Sequence, residues 1–470
     1  MAETTYRGRG ETLRDVAERY LFELANRCMI QVKMDERSIY NKFESCRLHD
    51  LMREHCLSKA KEEEFLKVVD MQTGEQDESS MCRLAVHLDV LEDDYIRKYQ
   101  NLRSLLLLGK FRQKSDFKGI NLERFKLLKI LILEGCRFKN KKLPEGIEKL
   151  ILLKHLSIKD SEVDELPKSV CKLLCLRSLD LRVDCDLALP NSIHKIRRLR
   201  HLFLLEFRRS IIGGGKLKFE GLNELETLIG FSSKLDETTH LLKLSKLQVF
   251  HGDVTENESL STIVDHILDH QDQFREIQLH INDDCNMGWE EGPDLARKML
   301  MCRSLSSLVT WRCVIVLPVY EFELYRNLIS LVLWHSNMEK DPMGILEKLP
   351  MLRNLELWDG AYVGREMVCR AAGFPQLKNL CLSHLDNLEE WRVEEGAMSN
   401  LVHLSIIECK KLKMIPDGLK FITTLESLLI NNMSKEFIDR ARVVDYKERE
   451  DYHKIKHIRL VYLHEIRANE

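Results

Sequence analysis

The 470-residue chain contains no apolar run near the roughly 18 residues that a membrane-spanning helix requires. Its first thirty residues carry Arg7, Arg9, Glu11, Arg14, Asp15, Glu18 and Arg19, which is not the composition of a secretory signal peptide. The formal net charge is only -3, so no global field argues for nucleic acid or a membrane as partner. Fourteen cysteines are scattered without paired spacing and form no C-x-x-C, which speaks against a disulfide scaffold or a zinc site. Cys171 and Cys175 flank a Leu-rich segment and read as core. No G-x-S-x-G is present, and no G-x-x-x-x-G-K-[ST]. The nearest stretch, Gly213-Gly-Gly-Lys216, has Ser210 in place of the first glycine and Leu217 in place of the hydroxyl residue. No acidic Walker-B strand precedes Arg47. The carboxylate pairs Asp283-Asp284 and Glu290-Glu291 lie in a polar loop. Nothing here supports an enzyme, and the chain reads as cytosolic or nuclear.

What is present is a repeat. The pattern L-x-x-L-x-L returns at Leu128/Leu131/Leu133, Leu153/Leu156/Ile158, Leu176/Leu179/Leu181 and Leu199/Leu202/Leu204, with starts 25, 23 and 23 residues apart. The register extends back to Leu102/Leu105/Leu107. It runs forward through starts at Leu225, Leu247, Phe274, Leu305, Leu328, Leu352, Leu377, Leu401, Leu425 and Ile455, with degenerate frames at Gly230 and Gly252. Three spaced apolar residues make one inward strand face, and only stacked neighbours can bury it. A second signal keeps the same phase: Leu143-Pro-Glu-Gly-Ile147, Leu166-Pro-Lys-Ser-Val170, Leu189-Pro-Asn-Ser-Ile193 and Ile415-Pro-Asp-Gly-Leu419. Proline fixes φ and cannot continue a strand, so it starts each return leg. Cys136, Cys313 and Cys409 occupy the ninth repeat position and read as small buried fillers. The fold class is therefore α/β, a leucine-rich-repeat solenoid or horseshoe over 101–465.

Residues 1–70 are not repeat. Thr12 to Gln31 has helical spacing of Leu13, Val16, Ala17, Tyr20, Leu21, Leu24 and Ala25, with Thr12 as cap. Met29-Ile-Gln-Val32 reads as a strand, 33–42 as a wing, Phe43–Leu48 as its return strand, and 50–67 as a second helix opened by Asp50. That order is a partial winged helix, and residues 71–100 form a junction. The helix faces are too weakly basic for DNA recognition.

Arg47-Leu-His-Asp-Leu-Met-Arg-Glu54 resembles the Met-His-Asp motif of plant nucleotide-binding leucine-rich-repeat immune receptors, with Leu48 in place of the methionine. Leu13-Arg-Asp-Val-Ala-Glu-Arg-Tyr-Leu21 and Glu23-Leu-Ala-Asn-Arg-Cys-Met29 resemble the winged helix that closes their nucleotide-binding (NB-ARC) module. Met81-Cys-Arg-Leu-Ala-Val-His87 is similar to their junction into the repeats, and Asn223-Glu-Leu-Glu-Thr-Leu-Ile-Gly-Phe231 to a mid-repeat signature. The coiled-coil class matches better, without its coiled coil and P-loop part. The resemblance implies that His49 contacts the β-phosphate of ADP and that Asp50 holds the closed arrangement. The residues themselves read differently: Asp50 as a helix cap and His49 as a semi-buried turn residue. ADP or ATP belongs to the full-length family, and no cofactor is expected in this chain.

Recognition is expected on the inner strand face. Trp311, Trp334 and Trp358 follow the third core position of three successive repeats, with His280 in the same column one repeat earlier. Residues 149–220 hold 15 Lys/Arg against 9 Asp/Glu, whereas 251–300 hold 12 Asp/Glu against 3 Lys/Arg. Lys195, Arg197, Arg198, Arg200, Arg208 and Arg209 form a basic patch, which the resemblance implies docks the nucleotide-binding module. The expected function is the sensor and autoinhibitory portion of a plant intracellular immune receptor. Its partners would be proteins: a pathogen effector, a guarded host protein or the receptor's own nucleotide-binding module. It would be cytoplasmic, nuclear or peripherally held at a membrane. The alternative, a leucine-rich-repeat substrate adaptor of a ubiquitin ligase, needs an F-box-like three-helix segment that 1–70 does not offer. An extracellular ectodomain and a nucleotide-hydrolysing switch lack their signals.

Overall fold

The computed structural model describes residues 13–34, 43–69, 82–87, 101–109, 120–183, 187–205, 215–281, 302–311, 327–444 and 447–465, with a few isolated positions besides. The chain divides into two compact units, Met1–Phe231 with Leu235–Leu247, and Ser232–Lys234 with Gln248–Glu470.

The first unit opens with helix Leu13–Asn26, then strands Ile30–Met34 and Phe43–Leu48 paired antiparallel with Gln31 opposite Arg47, then helix Asp50–Glu62. The first helix stops five residues before the expected end, where Cys28 takes φ 55° and the Met29 amide bonds back to the Leu24 carbonyl. The second also stops early. Glu64 adopts φ 48°, Phe65 N–H bonds to Ala60 O at 2.8 Å and Glu64 N–H to Lys61 O at 3.2 Å. This pair of bonds is a Schellman closure with glutamate where glycine is usual. Lys67 therefore begins a strand, Lys67–Val69, rather than ending a helix.

That strand is the first of a parallel sheet. It pairs with Arg83–His87, then Ser104–Leu108, Ile130–Glu134, His155–Ser157, Ser178–Leu181, His201–Leu204 and the strand beginning at Thr227. Two strands of the sheet thus precede residue 101. Leu84, Leu105, Leu131, Leu156, Leu179, Leu202 and Leu228 stand in register, every one fully buried. Side chains of alternate residues share a face, so one leucine row per repeat builds a continuous core. Return legs are short 3₁₀ turns. Pro167 and Pro190 stand immediately ahead of Lys168–Lys172 and Asn191–Lys195, with φ of -63° and -75°.

Gly230, which looked like a degenerate core position, is there for space. Its φ is +76°, and a Cβ would sit 2.4 Å from the Leu204 carbonyl oxygen. The ninth-position residues staple neighbouring repeats. The Cys136 thiol points to Leu107 O at 3.7 Å, and Ser161 Oγ donates to Leu133 O at 2.7 Å. Cys409 does the same to Leu382 O at 3.6 Å in the second unit, and Cys313 lies outside the described residues. Burial pushes the Cys136 and Cys409 thiols up to about 12, so they are fillers rather than nucleophiles.

In the second unit the parallel strands are Val249–Val254, Glu276–Ile281, Leu305–Trp311, Ser330–Trp334, Asn354–Trp358, Asn379–Ser383, His403–Ile407, Ser427–Met433 and Leu460–Glu465. Helix Asn257–Asp269 fills one return leg and buries Leu260, Ile263, Val264 and Ile267. The last repeat is framed differently from the expectation. Leu428 pairs with Val461 and Ile430 with Leu463, while Leu460, expected in the core, is 46% exposed. The apolar template fits both Ile455/Ile458/Leu460 and Ile458/Val461/Leu463. The structure uses the second, because helix Lys435–Arg440 and the hairpin pairing Val443 with Glu448 lengthen the preceding leg.

Candidate functional site

Between the core leucines of the second unit lie the residues of the opposite, inner strand face. One column reads Val309, Val332, Glu356, Cys381, Ser405, Leu429 and Tyr462; the next reads Trp311, Trp334, Trp358, Ser383, Ile407 and Asn431. Trp334 and Trp358 are half-buried and stack face to face, ring centroids 4.7 Å apart and planes 11° from parallel. Such an offset pair exposes a flat apolar surface on little backbone. Glu356 anchors it from the neighbouring column: its Oε2 accepts Trp358 Nε1 at 2.9 Å, and its Oε1 accepts Asn354 Nδ2 at 3.1 Å. Asn354 also donates to Ser330 Oγ at 3.1 Å. The backbone of Trp311 pairs with Trp334 as expected. Cys381, beside the pair, is pushed up to about 12 by burial and then by Glu356, so the face holds no ready thiolate.

His280 departs from its expected column. It stands opposite Val309, not Trp311, and Leu279 stands opposite Leu308. Ile277, Leu279 and Ile281 are apolar at every second position, so the last two core positions of the repeat can be Ile277/Leu279 or Leu279/Ile281, and the register against the next strand shifts between Ile277 and Gln278. Because the strand period is two, that slip leaves His280 on the inner face but moves it along the strand.

Beyond the indoles lies a polar ledge that sequence reasoning missed. His335, Asp359, His384, Glu408 and Asn432 follow the tryptophan column in successive repeats, and all take left-handed φ between 44° and 54°. The His384 ring lies between Asp359 and Glu408, 3.4 Å from each, and Nδ1 is 2.8 Å from Ser383 Oγ. Glu408 also accepts Asn432 Nδ2 at 3.0 Å. The signal was one residue further along the same columns. Also overlooked was the H-x-x-x-H pair His266 and His270, whose rings lie 4.6 Å apart at the end of helix Asn257–Asp269, with His270 its C-cap. Burial holds His266 below its ordinary value. Among the described residues no group of three His, Cys, Asp or Glu could hold a metal ion.

In the first unit Lys195, Arg197 and Arg198 are exposed on the turn into strand His201–Leu204. Arg200 is half-buried and pairs with Glu226 at 3.2 Å, while Arg208 and Arg209 lie outside the described residues. His49 is exposed rather than semi-buried, and it, not Asp50, occupies the cap position of helix Asp50–Glu62, with no side-chain cap. Asp50 is the first helical residue, a first-turn position where a negative charge suits the positive end of the helix dipole. The Gln31 amide nitrogen lies 2.9 Å from His49 Nε2, and Gln31 Oε1 accepts Arg47 Nε at 2.6 Å.

Comparison with known proteins places these features. A leucine-rich repeat region model matches residues 101–446, and a disease resistance protein winged helix model matches 1–55. A putative disease resistance protein of Arabidopsis thaliana is 38% identical over 97% of this chain and 48% of its own length. The probable disease resistance RPP8-like protein 2 and disease resistance protein RPP8, from the same plant, are 35% and 33% identical over 96% of this chain, covering 49% of each relative. The chain thus spans about half the length of the curated relatives it matches. Among solved structures, a leucine-rich-repeat protein of Leptospira interrogans overlaps with a TM-score of 0.42 at 18% identity, over 84% of this chain and 99% of that one. No helix among the described residues is long and apolar enough to cross a membrane. The chain belongs to the leucine-rich-repeat family, and its homologues are plant disease resistance proteins.

Proposed function

We propose that this chain is the sensor and autoinhibitory portion of a plant intracellular immune receptor, working by protein recognition and not by catalysis. The observation that carries the reading is the stacked, half-buried Trp334–Trp358 pair on a strand face that has no core to fill. Aromatic pairs of this kind are the usual anchors of protein interfaces. The occupant is a pathogen effector, a guarded host protein or a nucleotide-binding module like that of the relatives. Lys195, Arg197 and Arg198 are the proposed docking residues for that module, and His49 its phosphate contact once a phosphate cradle is supplied. The compartment that suits these partners is the cytoplasm.

The test is a chimera in which residues 1–470 follow the N-terminal half of the disease resistance protein RPP8. Expressed in leaf tissue, it is expected to remain quiescent. Trp334→Ala with Trp358→Ala is expected to change its cell-death response, while thermal melting of the purified repeats moves little. A double variant that signals like its parent would sink the recognition reading.

A further inference from the structure

A ladder of like charges runs along the strand-entrance edge of the first unit. The Lys129 amide bonds to Arg103 O, Lys154 to Lys129 O, Arg177 to Lys154 O and Arg200 to Arg177 O, each at 2.8 Å. Five cations therefore occupy one position on five neighbouring strands, about 4.8 Å apart per step. Like charges on adjacent strands repel one another. Of the five, Arg200 pairs with Glu226; Lys129, Lys154 and Arg177 form no ion pair among the described residues. The repeat does not impose this arrangement. The equivalent bonded row in the second unit reads Ile329, Arg353, Lys378, Val402 and Glu426, apolar and mixed in sign.

Beside the ladder lies a strip of exposed aliphatic side chains on the turn tips. Ile151 and Leu174 are each 62% exposed, Leu127 45% and Leu152 38%. Register places Leu127 beside Leu152 and Ile151 beside Leu174. On the far side of the strip Arg124, Lys149, Lys172 and Lys195 form a second exposed row. Across 124–130, 149–155, 172–178 and 195–201 there is no Asp or Glu. The nearest carboxylates, Glu123 and Glu148, stand one residue outside, and Glu226 ends the ladder.

We propose that this edge is a peripheral docking surface for an anionic lipid bilayer. Aliphatic tips between two rows of cations match the acyl boundary and headgroup layer of such a membrane. The strip offers Leu and Ile without hydrogen-bonding groups, which suits a partner that demands no shape complementarity. Apart from Arg200, its cations form no ion pair among the described residues, and about half are lysine, which suits a diffuse anionic field more than a fixed carboxylate. Long cationic stems also let their heads stay at headgroup level while the aliphatics enter.

The test is co-sedimentation of the purified 470-residue chain with vesicles of phosphatidylcholine, with and without phosphatidylserine. Binding is expected only with the anionic lipid and is expected to weaken as salt is raised. Ile151→Glu with Leu174→Glu, and separately Lys154→Glu with Arg177→Glu, are expected to lower binding about tenfold or more. All four side chains are solvent-facing, so circular dichroism melting should confirm that both variants fold. Trp334→Ala is expected to bind vesicles like the parent, which separates this surface from the indole face. Equal sedimentation with both lipids, or no binding to either, overturns the proposal. So does full binding by either double variant, or vesicle-independent capture of an acidic amphipathic peptide by this edge. None of these results touches recognition by the indole face, which rests on Trp334 and Trp358 in the second unit.

Discussion

Lys454 Nζ lies 2.8 Å from Asp451 Oδ1, and the two charges are almost fully enclosed, with Asp451 1% and Lys454 4% exposed. Asp451 Oδ2 also accepts the Ile415 amide at 3.1 Å and Arg440 Nε at 3.1 Å, while Lys454 donates to Ile415 O at 2.7 Å. The cluster pins the long final return leg against the Pro416 turn. Isolated buried charges are costly, whereas this group satisfies its members mutually.

Asp451→Ala is expected to destabilise the second unit by about 3–5 kcal/mol, because it removes the only buried counter-charge that Lys454 and Arg440 share among the described residues and leaves them the exposed Asp417 and Glu450. Burial alone would raise the Asp451 carboxyl, but hydrogen bonds from Arg440, Lys454 and the Ile415 amide outweigh it and hold the group below its ordinary value of 3.8. A carboxylate depressed on folding adds stability above its unfolded pKa and loses it as pH falls through the folded one. Denaturant melts should therefore show stability falling below about pH 4, with the variant's acid limb shallower than the parent's. Parallel acid limbs would contradict this.

Leu179→Ala and Leu202→Ala are each expected to cost about 2–5 kcal/mol as core truncations. Both side chains are fully buried and stand in register with each other. Urea unfolding read by circular dichroism measures the loss. A change below about 1 kcal/mol at either site would mean that the core had collapsed around the cavity.

Much of this core was legible because leucine recurs with one spacing, and each row of the sheet inherits it. The frames failed where the apolar alphabet fits twice. Ile277, Leu279 and Ile281 offer two registers separated by one strand period. Ile455, Ile458, Val461 and Leu463 offer two separated by a turn. Only the pairing partners, Leu308 for Leu279 and Leu428 for Val461, choose between them. The end of helix Asp50–Glu62 was hidden for a different reason: Glu64 adopts a left-handed conformation that its side chain does not advertise. The indole column was readable because tryptophan is rare. The ledge of His335, Asp359, His384 and Glu408 was not, because ordinary polar residues there share only a backbone conformation.

Gly230→Ala tests a position that looked like a gap in the pattern. The new methyl would meet Leu204 O at 2.4 Å in a backbone with φ +76°. An L-residue held in that conformation costs on the order of 1–3 kcal/mol, and the clash adds to it. The melting temperature of the first unit is expected to drop accordingly. A neutral result would show that the Thr227–Ser232 strand relaxes away from its neighbour.

The final prediction concerns nucleotide. Tight phosphate binding needs several backbone N–H groups from a glycine-rich loop at a helix N-terminus, with a lysine and a metal-holding hydroxyl. Gly213-Gly-Gly-Lys216 lacks the first glycine and the hydroxyl. His49 is the one family-implied contact, and its ring is already beside the Gln31 amide at 2.9 Å. A single charge-assisted hydrogen bond nets about 1.5–3 kcal/mol. That is smaller than the several kcal/mol lost in immobilising a ligand, before desolvation of its phosphates is counted. The 470-residue chain is therefore expected to show no heat of binding with ADP and magnesium in titration calorimetry at micromolar concentrations. Binding in that range that disappears with His49→Ala would overturn this expectation, and would place a phosphate site around Arg47, Gln31 and His49 on the hairpin.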